Sequence, residues 1–532
     1  MSLSDLPEFD ELFVVSDLHF GGVPGTQIFK EGPRLAQTIR QLATRRSKRV
    51  ALVLAGDVVD FLAAPDVQNA AAARYLDTRA PIRELDRIRA DPAFSPVFDA
   101  LKAFVATAGR RLVIILGNHD VELALPQSRR WLLETLAPDD ITAQGRIELA
   151  LDGWGWSARV GGKRVLVVHG NEVDDWNVVD HKALLDVNRA LMRGLPPPEW
   201  KPNAGTKLVI DLMNRVKRNY PMVDLVKPEN AAAVPIVAAL DPGANVDLMA
   251  FLRTMGVRTR DKVRLAAGFL GEEQGDQQEQ DRPLTDAELF DLYLAPVLQA
   301  PVPGSTSAEA NAGSTSPGGS AGPRASGGRP LDPQQAAVAE MLWKAKKTAD
   351  AGADPRDLSG EGMLGAWDRV RDFFSAGKPG SELMRKALAK WWLKDDATFE
   401  IDTVDQTYED LDRIVGAEVD FLIAGHTHLH RALERKRARG RYYFNSGTWI
   451  RLIQLTRSTL EDPDKFATVW EAFSQPTIQA LDDIPGLVLR TTTVVGIHDG
   501  SHDNGGRAYG QLYIAQDDGS LADVANSRFP RP

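Results

Sequence analysis

The stretch VALVLAGDVVD (residues 50–60) joins six apolar residues to a glycine and two aspartates. A run this apolar has no polar side to offer to water, which is typical of a central strand that is covered on both faces. Gly56 permits a tight exit from the strand, and Asp57 and Asp60 follow within a few residues. The stretch therefore predicts a buried strand with carboxylates at its carboxyl end.

Four further segments repeat this pattern of an apolar run followed by polar residues. They are LFVVSDLH (12–19), RLVIILGNHD (111–120), RVLVVHGNE (164–172) and VDFLIAGHTH (419–428). Segments with helical spacing of apolar residues, at 32–46 and 95–111, separate the first three strands. Alternating strands and helices predict an α/β sheet, and ligands of such sheets collect at the carboxyl ends of the strands.

The pattern changes after residue 180. We expect a first core segment at 1–180, a mainly helical insertion (a cap) at 181–400, and a second core segment with C-terminal strands at 401–532. Within the insertion, residues 301–330 are rich in Gly, Ser and Pro and contain no aromatic residue. Such a composition cannot bury enough apolar surface to offset its ordering entropy, so it predicts a flexible linker.

The overall composition excludes several classes of site. The 532 residues include no cysteine, so disulfides, zinc–thiolate sites and thiol nucleophiles are excluded together. A formal net charge of −10 argues against a protein whose whole surface binds nucleic acid. The N-terminal residues lack the layout of a secretion signal, and no apolar run is long enough to cross a bilayer. We therefore expect a cytoplasmic protein and make no prediction of its oligomeric state.

The polar residues at the strand ends include Asp, Asn and His in quantity. Asp17 and His19 are two residues apart, as are His426 and His428, so each pair shares a face if the segment is extended. Each cluster alone has an ordinary interpretation as a turn or a surface histidine. Independent turns have no reason to gather carboxylates, amides and imidazoles at one sheet edge in sequence order, and the set therefore indicates a functional site.

Seven of these side chains are candidate metal ligands, and they are too many for one ion. Two divalent ions bridged by a carboxylate would use them all and could hold both reacting oxygens of a displacement at phosphorus. Nitrogen and oxygen ligands without thiolate favour manganese, iron or zinc over magnesium or calcium, and we expect Mn²⁺ first. The candidates are Asp17, His19, Asp57, Asn118, His169, His426 and His428.

The series DLH, GDVVD, GNHD, HG and GHTH resembles the calcineurin-like metallophosphoesterase superfamily, with all five blocks in order over residues 12–175 and 415–450. The resemblance implies an α/β/β/α sandwich of two sheets and hydrolysis by a metal-bridging hydroxide. It implies a first metal held by Asp17, His19 and His428, and a second held by Asn118, His169 and His426, with Asp57 bridging. It further implies that His119 protonates or stabilises the leaving oxygen and that Asp60 orients His119.

The expected activity is that of a metal-dependent phosphoric ester hydrolase acting on a phosphodiester or a nucleotide-type pyrophosphate. A phosphate-ester substrate that is large, lipid-linked or nucleotide-linked is compatible with these residues. A nuclease is an alternative, because the basic segment 431–441 follows the last metal motif, although a solvated hairpin explains it as well. A non-catalytic binding scaffold is a second alternative. His430 is expected near substrate or without a role, and His181, His498 and His502 are expected to be solvated.

Overall fold

The computed structural model describes residues 6–64, 79–217, 220–226, 385, 398–475, 477–501 and 505–531. The chain divides into two compact units. The first comprises residues 1–226, 395–454 and 473–532, and the second comprises residues 227–394 and 455–472. Residues 181–226, which we assigned to the insertion, thus cluster with the first unit. Most of the predicted helical insertion, and all of the predicted linker at 301–330, lies outside the described residues.

The strands of the described residues are numbered here along the chain. They are β1 (Glu8–Phe9), β2 (Glu11–Val15), β3 (Val50–Ala55), β4 (Arg110–Ile115), β5 (Ile147–Ala150), β6 (Trp156–Val160), β7 (Lys163–Val167), β8 (Phe421–Ala424), β9 (His430–Glu434), β10 (Tyr442–Ser446), β11 (Arg451–Ile453), β12 (Val488–Arg490), β13 (Thr493–His498), β14 (Tyr509–Ala515) and β15 (Leu521–Asp523).

The α-helices of the described residues are numbered in the same way. They are α1 (Gly32–Ala43), α2 (Ala80–Ala90), α3 (Ser95–Ala106), α4 (Pro126–Leu136), α5 (Ile141–Gln144), α6 (His181–Met192), α7 (Ala204–Leu208), α8 (Asn214–Lys217), α9 (Gln406–Ile414), α10 (Arg457–Glu461), α11 (Pro463–Phe473) and α12 (Gln479–Asp482). Short 3₁₀ turns at Phe61–Ala63, Val121–Ala124, Asn171–Val173 and Pro221–Leu225 and a π turn at Val209–Met213 complete the set.

The first sheet has seven strands in the order β15-β14-β13-β2-β3-β4-β5. Strands β2 to β5 are parallel, with Val15 opposite Leu54 and Leu54 opposite Ile114. Because the parallel strands are in this register, their carboxyl ends meet at one edge. Strand β13 closes the parallel part by pairing antiparallel with β2. The central strands β2 and β3 are buried along their whole length, as their unbroken apolar runs predict.

The second sheet has six strands in the order β1-β6-β7-β8-β10-β9. Strands β7, β8 and β10 run parallel, so their carboxyl ends also share an edge. Apolar side chains from both sheets pack into one core, which includes Leu12, Val53 and Val113 from the first sheet and Val165 and Ile423 from the second. Two sheets therefore stack face to face, as in a β-sandwich.

Helices cover the outer faces of the two sheets. On the first sheet, α1 contacts β14 and α3 contacts β4. On the second sheet, Tyr408 and Leu411 of α9 pack with Leu422 of β8 and Tyr443 of β10 in a separate buried cluster. The predicted α/β/β/α sandwich is confirmed.

The prediction that His498 is solvated is wrong. His498 lies at the end of β13 with 6% of its surface exposed. Its Nδ1 atom is 3.1 Å from Glu11 Oε1, and Tyr513 Oη is 2.9 Å from its Nε2 atom. A buried imidazole is tolerated here because both ring nitrogens have hydrogen-bond partners. Among the described residues, none of the helices has the length and apolar character needed to span a bilayer.

Candidate metal centre

The candidate ligands lie at the carboxyl ends of five strands. Three strands of the first sheet (β2, β3 and β4) and two of the second (β7 and β8) each place a candidate two or three residues beyond their last residue. These candidates are Asp17, Asp57, Asn118, His169 and His426. Because both sheets end at this edge, loops that are far apart in sequence meet there.

Most of the candidate ligands have unusual backbone conformations. Among the described residues, eight non-glycine residues have positive φ, and five of those are candidates: Asp17 (54°), His19 (47°), Asp57 (50°), His426 (69°) and His428 (63°). This left-handed region costs an L-residue roughly 1–2 kcal/mol, and such strain concentrates at functional sites. The expectation that the paired residues share the face of an extended strand is therefore wrong, since left-handed turns after the strands bring them together.

The first group of side chains comprises Asp17, His19 and His428. His428 Nε2 lies 3.2 Å from Asp17 Oδ1, and the Nε2 atoms of His19 and His428 are 3.2 Å apart. All three residues are buried. Two imidazole nitrogens that point at each other beside a carboxylate form a small set of donors suited to one cation.

The second group comprises Asp57, His169 and His426. Asp57 Oδ2 lies 3.3 Å from His169 Nε2 and 3.8 Å from His19 Nε2, so this carboxylate stands between the two groups. His169 Nδ1 is 2.8 Å from the carbonyl oxygen of Ala55 and donates to it, which leaves its Nε2 for the centre. A third combination, His19, Asp57 and His119, also lies within metal-ligand range.

The charges of the two groups depend on one another. Burial opposes ionisation of Asp17, but His428 brings the pKa of Asp17 down to about 2. Burial likewise opposes ionisation of Asp57, while His169 and His119 hold its pKa well below the ordinary value. In return, Asp57 raises the pKa of His169 to about 10 against the effect of burial. Both carboxylates are thus ionised at neutral pH, and cations must compete with the imidazole protons.

The donor set fits divalent metal ions. Buried Asn118 Oδ1 and His169 Nε2 have no hydrogen-bond partner among the described residues. Buried polar atoms are rarely left so, because the desolvation cost is not recovered. An acceptor oxygen and an imidazole nitrogen beside Asp57 supply the lone pairs that manganese, iron or zinc accept.

Residues 11–225 match the family model described as calcineurin-like phosphoesterase. The matched range contains the first four strand-end motifs, and the structure joins the histidines of residues 426–428 to them. This match supports the calcineurin-like metallophosphoesterase superfamily for the part of the chain that it covers. A search of curated proteins finds no match. Members of the superfamily usually bind divalent metals, and the groups described above are candidate ligands.

His119 lies beside the ligand groups and is more exposed than they are. Its Nδ1 atom is 3.2 Å from Asp60 Oδ1, and 20% of its side chain is accessible. Its ring meets the ring of His19 edge-on at a centroid distance of 4.8 Å. Asp60 is fixed in turn, because its Oδ1 atom accepts hydrogen bonds from the backbone N–H groups of Leu62 and Ala63. The geometry matches the imidazole–carboxylate pair that the resemblance implied.

The segment NSGTW (445–449) supports the loops that carry the candidate ligands, although the sequence analysis assigned no role to it. Asn445 Nδ2 donates to the carbonyl oxygen of Gly425 at 2.7 Å, and Ser446 Oγ is 2.7 Å from Ser16 Oγ. Thr448 Oγ1 donates to the carbonyl oxygen of Asp17 at 2.8 Å. The segment thus fixes the loops that carry the first group. Its first two residues, Asn445 and Ser446, end strand β10, and the other three follow that strand.

Two acids that the sequence analysis did not assign, buried Asp120 and half-buried Glu172, also tie the loops together. Asp120 accepts hydrogen bonds from the backbone N–H of Val58 at 2.8 Å and of Gly117 at 2.7 Å, joining the loops after β3 and β4. Glu172 accepts hydrogen bonds from the backbone N–H of His169 at 3.1 Å and of Gly170 at 2.6 Å. These bonds hold strained backbone that bears the ligands.

The basic segment 431–441 does not face the metal edge. Arg431 and Arg435 are 1% exposed and pair with Asp405 and Asp412. Strand β10 runs parallel to β8, so the turn between β9 and β10 lies at the amino end of β8, about 13 Å from the carboxyl edge. These two cations are neutralised and the turn lies away from the carboxyl edge, which favours the solvated hairpin over contact with a polyanion.

Gly56→Ala is expected to damage the second ligand group. A Cβ atom at this position would lie 2.4 Å from His169 Nδ1 and 2.5 Å from its Cγ, at a φ of +87°. We expect His169 to move and the affinity for the second metal to fall by roughly 10-fold or more. Manganese titration of the metal-free protein measures this effect.

Gly162→Ala is the matched control for that variant. Its φ is +74°, but a Cβ atom would meet nothing within 4 Å. The control therefore carries the backbone strain of about 1–2 kcal/mol without the clash. Equal metal affinities in the two variants would show that His169 tolerates the displacement and is no ligand.

Proposed function

We propose that the chain is a dinuclear metal-dependent phosphoesterase that hydrolyses a phosphodiester or a nucleotide-type pyrophosphate. The observation that carries the proposal is the position of Asp57, whose Oδ2 atom lies between His169 of one ligand group and His19 of the other. A carboxylate shared by two groups of nitrogen and oxygen donors is the arrangement that two-metal hydrolases use. We propose Mn²⁺ as the ion, with iron and zinc as alternatives.

The proposed roles of the residues follow from their positions. Asp17, His19 and His428 would hold the first ion; Asn118, His169 and His426 would hold the second, with Asp57 shared. Bound ions of this kind acidify water and neutralise the charge that develops on phosphoryl oxygens. His119 would donate a proton to the leaving oxygen, since it is accessible and carries a proton at neutral pH. Burial lowers its pKa, but Asp57 and Asp60 raise that pKa to about 9.

A cavity at the carboxyl end of β5, the strand next to β4 in the first sheet, is the site that we propose for a second substituent on phosphorus. The cavity has a volume of about 240 Å³ and its lining includes Arg129, Trp154, Lys182 and Asn188. It lies near Asp152, which follows the last residue of β5 by two positions, as Asp57 follows β3. Trp154 is 85% exposed, and an exposed indole with neighbouring cations suits a nucleoside or another charged planar group.

The nuclease alternative receives no support from a described surface. It depended on the basic segment 431–441, in which Arg431 and Arg435 pair with Asp405 and Asp412. The scaffold alternative would be favoured by missing ligands, whereas all seven candidate side chains are present at the edge. Both alternatives are distinguished from the proposed function by one experiment.

The test combines metal analysis with a substrate screen. We expect purified protein to bind two equivalents of Mn²⁺ and to hydrolyse bis-p-nitrophenyl phosphate or a UDP-sugar at least about 10-fold more efficiently than p-nitrophenyl phosphate, because only the first two offer a second group to the cavity. Activity should vanish with EDTA and return with Mn²⁺. Preferred cleavage of single-stranded DNA would favour the nuclease, and bound metal without any turnover would favour the scaffold.

A further inference from the structure

The loop of residues 174–177, between His169 and α6, contacts candidate ligands from two different strands. Asp174 Oδ2 accepts a hydrogen bond from His426 Nε2 at 2.9 Å. Asn177 Oδ1 accepts one from Asn118 Nδ2 at 3.5 Å, and Asn177 Nδ2 donates to Asp174 Oδ2 at 2.8 Å. Two side chains of one loop thus connect His426 and Asn118, both of which we assign to the second metal.

The bonds of Asp174 exceed what a loop cap requires. Its Oδ1 atom accepts from the backbone N–H of Trp176 at 2.9 Å, and the backbone N–H groups of Asn177 and Val178 donate to its carbonyl oxygen at 2.9 Å, which closes the turn. Its Oδ2 atom is directed outward to His426 and Asn177. A carboxylate that only capped the loop would leave Oδ2 to water. Asp174 Oδ2 is therefore available to accept the hydrogen bond from His426.

The loop determines which atoms the two ligands present. Because Asp174 accepts only, His426 must carry its proton on Nε2, and Nδ1 is left as the atom with a lone pair. Because Asn177 Oδ1 accepts from Asn118 Nδ2, the amide is oriented with Oδ1 toward the centre, where it has no hydrogen-bond partner. In both cases the loop selects the form of the side chain that binds a cation.

The segment that follows α6 holds the loop in place. The backbone carbonyl of Trp176 accepts from the N–H of Gly205 at 2.8 Å, and that of Asn177 accepts from Asn203 Nδ2 at 3.1 Å. A Cβ atom at Gly205 would lie only 2.1 Å from Asn177 Oδ1, so the start of α7 packs directly against this amide. The orientation of Asn177 therefore depends on α7 as well as on the loop.

We propose that Asp174 and Asn177 are positioning residues that fix the tautomer of His426 and the amide orientation of Asn118, and thereby give the second metal position its affinity. The inference rests on the proposed dinuclear function. Partners of this kind that lie behind the ligands change metal affinity by roughly 10–100-fold. The first metal position has no contact with these two side chains among the described residues and keeps its affinity.

The test is a calorimetric titration of chelator-stripped full-length protein with Mn²⁺, together with electron paramagnetic resonance of the loaded protein. Wild type is expected to bind two ions and to give the spectrum of a coupled pair. Asp174→Asn and Asn177→Leu should weaken the second binding event by roughly 10–100-fold and leave the first within about twofold. Their spectra at one added equivalent should be those of an isolated Mn²⁺ ion.

Asp180→Asn is the matched control. Asp180 lies three residues beyond the loop and accepts from the backbone N–H of Ala183 at 2.9 Å as the N-cap of α6. Asparagine caps a helix equally well, so the control removes the same charge without touching a ligand. Gly205→Ala provides a third variant that leaves both loop side chains intact. It should weaken the second binding event by displacing Asn177.

The outcomes separate the two proposals. If wild type binds two ions and the three variants bind both as tightly as Asp180→Asn does, the loop has no positioning role and the inference is overturned. If wild type binds only one ion, the dinuclear function itself fails and the inference fails with it. Loss of both ions from Asp174→Asn would show that the loop supports the whole edge, which also contradicts a role confined to the second position.

Discussion

The Asp57→Asn variant is expected to lose tightly bound metal and to hydrolyse phosphate esters at least about 10³-fold more slowly than wild type. Asp57 is the residue whose carboxylate lies within 4 Å of imidazoles in both ligand groups. An amide would remove the negative charge and place a donor N–H₂ group where the proposed centre needs an acceptor oxygen. Several kcal/mol of charge stabilisation is lost in this way, and each 1.4 kcal/mol is a factor of about ten in rate.

Metal analysis after gel filtration and initial rates with an aryl diester measure this loss. Asp140→Asn is a suitable control, because Asp140 is the N-cap of α5 and asparagine retains that cap. The Asp57 variant should remain folded, since Asp57 is 1% exposed and asparagine has nearly its shape. Two retained equivalents of metal in a folded Asp57→Asn protein would show that the carboxylate is not shared.

The layers of the fold could be predicted because the buried strands appear in the sequence as unbroken apolar runs. The run at 50–60 has no polar side along its strand, and β3 is accordingly buried along its whole length between β2 and β4. The loops at the carboxyl ends followed from the parallel order of these strands. The order of the motifs identified the candidate ligands, and all of these residues lie at the carboxyl edge of the sheets.

The backbone of the ligand loops could not be predicted from the same signals. Spacing of two residues places side chains on one face only in extended chain, whereas Asp17, His19 and the pair at 426 and 428 adopt positive φ. Left-handed conformations are unfavourable for these residue types in isolation, so local preference argues against them. They persist because distant segments hold them, and Thr448, 431 residues from Asp17 in sequence, is one such support.

The position of the basic segment could likewise not be predicted from the sequence. Residues 431–441 follow the last metal motif directly, and closeness in sequence suggested closeness in space. Strand β9 starts at the metal edge and runs away from it. The turn that follows β9 lies at the far end of this strand and is therefore distant from the metal edge. That direction depends on antiparallel pairing of β9 with β10, in which His430 stands opposite Ser446. The sequence contains no local signal for this pairing.

The loop at 174–177 was visible in the sequence only as an excess of acid. Asp174 follows His169 by five residues, and no motif required it there. Its relation to His426 spans more than 250 residues and could not be inferred from spacing. Residues that hydrogen-bond to metal ligands from outside the centre are defined by their three-dimensional contacts. Motif analysis therefore identifies the ligands but not these supporting residues.

His119→Ala is expected to retain both metal ions and to lose rate by about 10²–10⁴-fold with substrates whose leaving group is an alkyl or ribosyl oxygen, the usual scale for a positioned acid. His119 Nδ1 lies 3.2 Å from Asp60 Oδ1, and 20% of the His119 side chain is accessible. Because Asp57 and Asp60 raise its pKa to about 9 against the effect of burial, it is protonated and able to donate at neutral pH.

The pH profile and the leaving group distinguish a proton donor from a structural residue. A group that acts in its protonated form loses activity as pH rises through its pKa, so wild-type kcat should fall above about pH 9 with an alkyl ester and the variant should lack this fall. With a p-nitrophenyl leaving group, which departs without a proton, the variant should approach wild type. A His119 variant that loses metal as extensively as Asp57→Asn would instead make His119 a ligand, in the combination with His19 and Asp57 that the geometry also permits.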